Sequence, residues 1–126
     1  MTEDWPQSKA LQLMIEYRPT IWRKSALEAV PGVGHKALQS CMERINFTQK
    51  IVNALRSNEL LGEKLYWIIH ASYLTDRQLG DIDEILDHIA HNHEHIPRST
   101  YFRLRTRAIN MMDDRLNEMV GLKIAS

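Results

Sequence analysis

Apolar residues recur every three to four positions through most of the chain, which is the spacing of helices that bury one face. This pattern predicts a first helix over 6–17, a second over 35–58 and a third over 60–74. Only five Gly and four Pro interrupt it, and no alternating β-branched stretch stands out. We therefore predict an all-α fold, with an N-terminal helical region over 1–58 and a C-terminal domain over 59–126.

The N-terminal half contains two predicted breaks. Pro19 lacks an N–H and is expected to kink or interrupt the first helix, whose apolar face includes Met14 and Ile15. A second apolar face then resumes at Ile21 and Trp22, and a Gly-containing turn at 31–34 follows. In the 35–58 helix, a seam that includes Cys41 favours packing on the rest of this chain, with self-association as the alternative.

The C-terminal domain reads as helix, turn, helix from residue 74 onward. Thr75 and Asp76 offer an N-cap for an acidic amphipathic helix over 76–87, followed by a polar turn over 91–95. A last helix over 97–119 follows, with Pro97 expected at its first position. Its predicted core residues lie at helical spacing: Tyr101, Leu104, Ala108, Met112, Leu116 and Met119.

The last helix begins with a concentration of basic residues. Its first three turns hold four arginines and no acidic residue. A helix start presents free N–H groups, and arginine donates in pairs to phosphate oxygens and to the guanine edge. The second helix of a helix-turn-helix enters the major groove with its N-terminal residues toward the bases. The candidate DNA-binding residues are therefore Arg98, Ser99, Phe102 and Arg103 for bases, and Thr100, Arg105 and Arg107 for the backbone. A solvated arginine-rich face without a ligand is the alternative.

The stretch 96–109, and above all Arg98-Ser99-Thr100-Tyr101-Phe102-Arg103, resembles the recognition helix of sigma-factor region-four domains. Together with Asp83-Glu84-Ile85-Leu86, it makes the chain similar to the ArpU-like regulators of phage and prophage late transcription. The resemblance implies a sequence-specific transcriptional regulator with a sigma-like helix-turn-helix that binds double-stranded DNA in the bacterial cytoplasm. RNA polymerase, contacted by the acidic helix, and a second copy of the chain are further candidate partners.

Composition and charge exclude several other classes. The 16 basic and 16 acidic residues give zero net charge, and the sequence has no run of about 18 apolar residues that would span a membrane. The single Cys41 cannot form an internal disulfide, and no nucleophile elbow or phosphate loop is present.

Histidines at 88, 91, 93 and 95 suggest a metal site, but three of them cluster in a short polar turn without a cysteine. We predict no catalysis, no cofactor and no metal.

Two other functions fit the same pattern. A small terminase-type subunit for phage DNA packaging also combines a helix-turn-helix with an oligomerising helix, and ring-shaped oligomers would favour it. A helical protein-interaction adaptor would explain the neutral net charge and the acidic helix. It would leave the acid-free arginine run without a purpose.

Overall fold

Five α-helices make up the computed structural model, which describes residues 8–30, 32 and 34–125 and, within the last helix, side chains up to residue 119. They are α1 (Lys9–Ala29), α2 (His35–Asn53), α3 (Gly62–Ile69), α4 (Ile82–Asn92) and α5 (Arg98–Ala125). A 3₁₀ turn, Ala54–Ser57, follows α2, and a π-helical turn, His70–Leu74, continues α3. The all-α prediction is confirmed. The predicted start of the first helix, at residue 6, lies outside the described residues.

One continuous core lies between α1, α2, α3 and α5, and α4 covers it through Ile89. Its residues come from both sides of the division at 58/59 that the sequence suggests. The division into two domains stays a prediction. The largest fully buried side chains are Tyr101, Met14, Leu65, Ile68, Ile69, Ile89, Ile96, Ile109, Met112 and Val52.

Helix α1 continues through Pro19, so the predicted interruption at this residue is wrong. Pro19 is exposed, and the Thr20 hydroxyl donates to the Glu16 carbonyl (2.8 Å) in the same turn. Proline removes one hydrogen-bond donor from a helix and crowds the preceding turn. It is tolerated at this position because water reaches the helix there. Two apolar residues predicted to face the core point outward instead: Ile15 is 60% exposed and Trp22 is 57% exposed.

The π-helical turn joins α3 to α5 through a pair of hydroxyls. The Ser72 hydroxyl donates to the Ile68 carbonyl (2.6 Å) and lies 2.6 Å from the Tyr101 hydroxyl. Since the single Ser72 proton is already used, Tyr101 donates to Ser72. Tyr101 is fully buried, so this hydrogen bond satisfies its hydroxyl and fixes the first turn of α5 against α3.

Helix α4 begins at Ile82, six residues later than the predicted start at residue 76. Its N-cap is Asp81, whose carboxylate accepts the Glu84 N–H (2.9 Å), so the prediction of an N-cap at Thr75 or Asp76 is wrong. Thr75 is buried and accepts a hydrogen bond from Arg18 of α1 (2.8 Å). The Thr75 side chain is therefore used to hold α1, and Asp81 caps the start of α4 instead.

The middle of α5 forms hydrogen bonds with the start of α1 through Asp113. Asp113 accepts the Ser8 hydroxyl (2.6 Å) and the Ala10 N–H (2.8 Å), while Ser8, the N-cap of α1, accepts the Leu11 N–H (3.1 Å). A carboxylate at a helix N-terminus satisfies free amides and opposes the positive end of the helix dipole. Met119, predicted as core, is 43% exposed, whereas Leu116 one turn earlier is buried as predicted.

Candidate nucleic-acid interface

The candidate interface begins at a short turn between α4 and α5. Helix α4 includes His91 and Asn92, which the sequence placed in the turn, so the connection is shorter than predicted and covers 93–97. The Pro97 carbonyl accepts the Tyr101 N–H (2.9 Å), which makes Pro97 the N-cap rather than the first helical residue. Ile96 is buried and holds the turn to the core. The N-terminus of α5 is thus presented at the surface on a fixed support.

Helix α5 separates an inner face from an outer face over its first three turns. Tyr101, Leu104 and Ala108 are buried, as predicted. The structure places five predicted DNA-binding residues on the surface: Arg98, Ser99, Phe102, Arg103 and Arg107. Buried positions on one face and exposed positions on the other mean that ligand-facing groups can change without loss of core packing.

Three of the four predicted arginines keep their charge available to solvent. Within the described residues, no ion pair involves Arg98, Arg103 or Arg107. No acidic residue occurs in α5 before Asp113. The positive charge of these side chains adds to the positive end of the helix dipole, so this end of α5 attracts anions.

Arg105 and Thr100 are placed differently from the other predicted site residues. Both are partly buried. The guanidinium carbon of Arg105 lies 5.3 Å from the centre of the Phe102 ring and 5.7 Å from that of Tyr101, within the range of cation–π interactions. Arg105 therefore packs along the aromatic side chains of its own helix, and its role as a backbone contact stays a prediction.

Two further polar residues share the outer face with Ser99 and Arg103. Asn110 is exposed. Thr106 is half-buried, and its hydroxyl donates a hydrogen bond to the Phe102 carbonyl (3.2 Å). Asn110 follows Ser99 by eleven residues, which is three helical turns. Asparagine can pair with adenine through two hydrogen bonds. This spacing was readable in the sequence, but attention to charge alone missed it.

The acidic residues near α4 are partly neutralised by local contacts. Glu84 accepts the Gly80 N–H (2.8 Å) and forms an ion pair with Arg77. These two hydrogen bonds lower the pKa of the Glu84 carboxyl. Asp81 is used as the N-cap, which leaves Asp83 and Asp87 exposed one turn apart on α4. Arg77 therefore offsets the charge of Glu84, whereas Asp83 and Asp87 stay exposed without an ion pair among the described residues.

The histidines do not form a cluster with metal-binding geometry. Within the part of the chain that the structure describes, no group of three or more His, Cys, Asp or Glu residues could hold a metal ion. His93 lies 3.3 Å from Glu94, which also pairs with Lys64 of α3 (3.2 Å). His88 stacks on His70 instead, with ring centres 5.9 Å apart. These contacts join α4 and the following turn to α3.

Comparisons with protein-family models, with curated proteins and with solved structures found no match for this chain. Among the described residues, no helix is both long enough and apolar enough to cross a lipid bilayer.

Proposed function

We propose that this protein is a sequence-specific DNA-binding transcriptional regulator that reads the major groove with the outer face of α5. The observation that carries the proposal lies on one exposed face of α5. There Arg103 and Arg107, which form no ion pair among the described residues, follow Ser99 and precede Asn110 at helical spacing. Arginine and asparagine are the side chains that most often contact guanine and adenine in pairs of hydrogen bonds.

The support of the helix fits this role. Its inner face is fixed by Tyr101 and Leu104, and its middle by Asp113 on α1. A reading helix held at both points presents its side chains without first becoming ordered, which reduces the entropic cost of binding. The role of Arg105 in this proposal is to position Phe102 and the first turns of the helix, since it packs on that ring.

The same proposal includes the class of genes that the protein regulates and a second protein that it contacts. A regulator of phage or prophage late genes is supported by the resemblance of residues 96–109 to sigma region four. The exposed carboxylates Asp83 and Asp87 are candidates for a contact with RNA polymerase, since they would repel DNA phosphates. Neutralising both residues should reduce transcription activation and leave DNA binding intact.

The test is a fluorescence anisotropy titration on duplexes enriched by the protein from a random pool, at about 50 and about 200 mM salt. Arg103→Ala should cost about 1–3 kcal/mol, and the loss should map to one base position. Arg107→Ala should weaken all sequences alike and reduce the salt slope by about one. Arg115→Ala is the matched control, because Arg115 is an exposed arginine of the same helix outside the proposed face.

Two results would contradict the proposal. The first is the absence of binding by the wild-type protein at about 50 mM salt and micromolar concentration. The second is an equal loss for Arg103→Ala and Arg115→Ala, because the arginines would then act only through net charge. The first result would favour a protein-interaction adaptor, and the second would favour non-specific DNA binding by a basic surface.

A further inference from the structure

The outer face of α1 carries a row of exposed apolar residues, which we call the outer stripe. It consists of Ile15, Pro19, Trp22 and Ala26. The stripe lies on the side of the helix opposite the buried residues, which are Ala10, Met14, Tyr17 and Thr20. Ile15 and Trp22 are each more than half exposed, and a contiguous row of apolar residues on one helix face marks a candidate interaction surface.

The spacing of the outer stripe is the same from either end. Its members are separated by four, three and four residues, so the row is symmetric about a point between residues 20 and 21. Two copies packed antiparallel about a two-fold axis at this point would place Ile15 opposite Ala26 of the second copy. Pro19 would then lie opposite Trp22 of the second copy. Each large side chain would face a smaller one, as interdigitated helix packing requires.

The charges beside the outer stripe have the same symmetry. Glu16 and Arg23 lie on one flank of α1, and both are exposed. In an antiparallel pair the same flanks meet, and Glu16 of one copy would lie about two residues, or about 3 Å along the axis, from Arg23 of the other. The dimer would therefore contain two equivalent ion pairs, each between Glu16 of one copy and Arg23 of the other. Glu16 at present contacts Arg44 in a surface pair (3.2 Å), which costs little to exchange.

Trp22 also borders a cavity that lies beside the outer stripe. A cavity of about 260 Å³ lies between α1 and the segment after α3, and Ile21, Trp22, Leu74 and Asp76 line part of it. The segment is fixed to α1, because the Arg18 guanidinium donates to the Thr75 carbonyl (2.9 Å). The cavity wall beside Trp22 is therefore held to α1 by this hydrogen bond.

We propose that the outer stripe is a homodimer interface, in which α1 packs antiparallel on α1 of a second copy of this chain. Spacing, size alternation and charge all agree with this one occupant. The proposal goes beyond the proposed function and does not depend on it, because the dimer is measured without DNA. A two-fold dimer would present two α5 helices, and such proteins read sites with matching symmetry.

The first experiment is sedimentation velocity on the full chain over a dilution series up to about 200 μM, since a dimer dissociates by mass action. The wild-type protein should show a monomer–dimer equilibrium. Ile15→Gln/Trp22→Gln should raise the dissociation constant at least about tenfold. Leu60→Gln is the matched control, because Leu60 is 92% exposed but lies outside α1. Circular dichroism of each variant confirms that it is folded.

The second experiment tests the antiparallel register. Glu16→Arg and Arg23→Glu should each weaken the dimer, and the double variant should restore it, because both ion pairs are then reversed. In a Cys41→Ala background, Ile15→Cys/Ala26→Cys should form a covalent dimer on mild oxidation, whereas Ile15→Cys alone should not. A disulfide needs Cα atoms within about 7 Å, and only the antiparallel register brings residues 15 and 26 together.

Three results would overturn the proposal. One is a monomer at every concentration. Another is a dimer that the Ile15→Gln/Trp22→Gln variant leaves unchanged. The last is a covalent dimer from Ile15→Cys alone, which would indicate a parallel arrangement. DNA binding by a protein that stays monomeric would separate the failure of this proposal from that of the proposed function.

Discussion

Replacing Asp113 with alanine should destabilise the protein by about 2–3 kcal/mol. Asp113 holds the start of α1 through the Ser8 hydroxyl (2.6 Å) and the Ala10 N–H (2.8 Å). A hydrogen bond to a charged group contributes about 1.5–3 kcal/mol, and a carboxylate at a helix N-terminus about 0.3–1 kcal/mol. The two bonds share one partly buried carboxylate, and water can replace some of what is lost. The expected value is therefore well below the sum.

Urea unfolding followed by circular dichroism measures this effect as a shift of the midpoint at constant slope. Asp114→Ala is the control, since Asp114 is the adjacent residue and is exposed. It should change the free energy of unfolding by less than about 0.5 kcal/mol. Asp113→Asn keeps one acceptor for the Ala10 N–H and removes the charge, so it should cost about 1 kcal/mol.

A double-mutant cycle tests the assignment further. Ser8→Ala and Asp113→Ala should show a coupling of about 1 kcal/mol, because each variant removes the same hydrogen bond. Equal losses for Asp113→Ala and Asp114→Ala would refute the reasoning, and so would strictly additive effects of the Ser8 and Asp113 substitutions. If Asp113→Ala does not fold, the comparison of Asp113→Asn with Asp114→Asn tests the same contact.

Two other predictions concern α3 and its π-helical turn. A Cβ at Gly62 would lie 2.6 Å from the Arg56 carbonyl oxygen, so Gly62→Ala should destabilise the protein by about 1–3 kcal/mol in the same urea assay, and an unchanged midpoint would contradict this. Burial, then the neighbouring His88 and Arg56, lower the pKa of His70 below its ordinary 6.5. The unfolded chain therefore binds the proton more readily, and stability should fall as the pH drops from 6.5 through the folded pKa. His70→Gln should flatten this dependence, whereas an unchanged slope would exclude His70 as its source.

The helical pattern of α5 was readable because one face had a single apolar stripe. Tyr101, Leu104 and Ala108 are buried as the spacing predicts. The start of α4 was also readable in principle, since Asp81 followed by Glu84 has the spacing of a capping box. Thr75 was an equally acceptable cap by residue type, and only its contact with Arg18 shows why the helix starts later.

The faces of α1 were not readable, because apolar residues occur on both sides of this helix. Met14 and Tyr17 are buried, whereas Ile15 and Trp22 are exposed. Hydrophobicity alone does not tell which of two apolar faces the rest of the chain covers. The sequence likewise gave no means to separate Arg105, which packs on Phe102, from the exposed arginines near it.

The sequence by itself determined the helical class, the approximate extent of most helices and the concentration of positive charge at the start of α5, since these depend on local spacing and composition. The tertiary structure alone decided which side chains of that helix face outward, how Asp113 joins the middle of α5 to the start of α1, and that Ile15 and Trp22 are left exposed together. Such features depend on which distant segments pack against one another, and a local pattern does not contain that information.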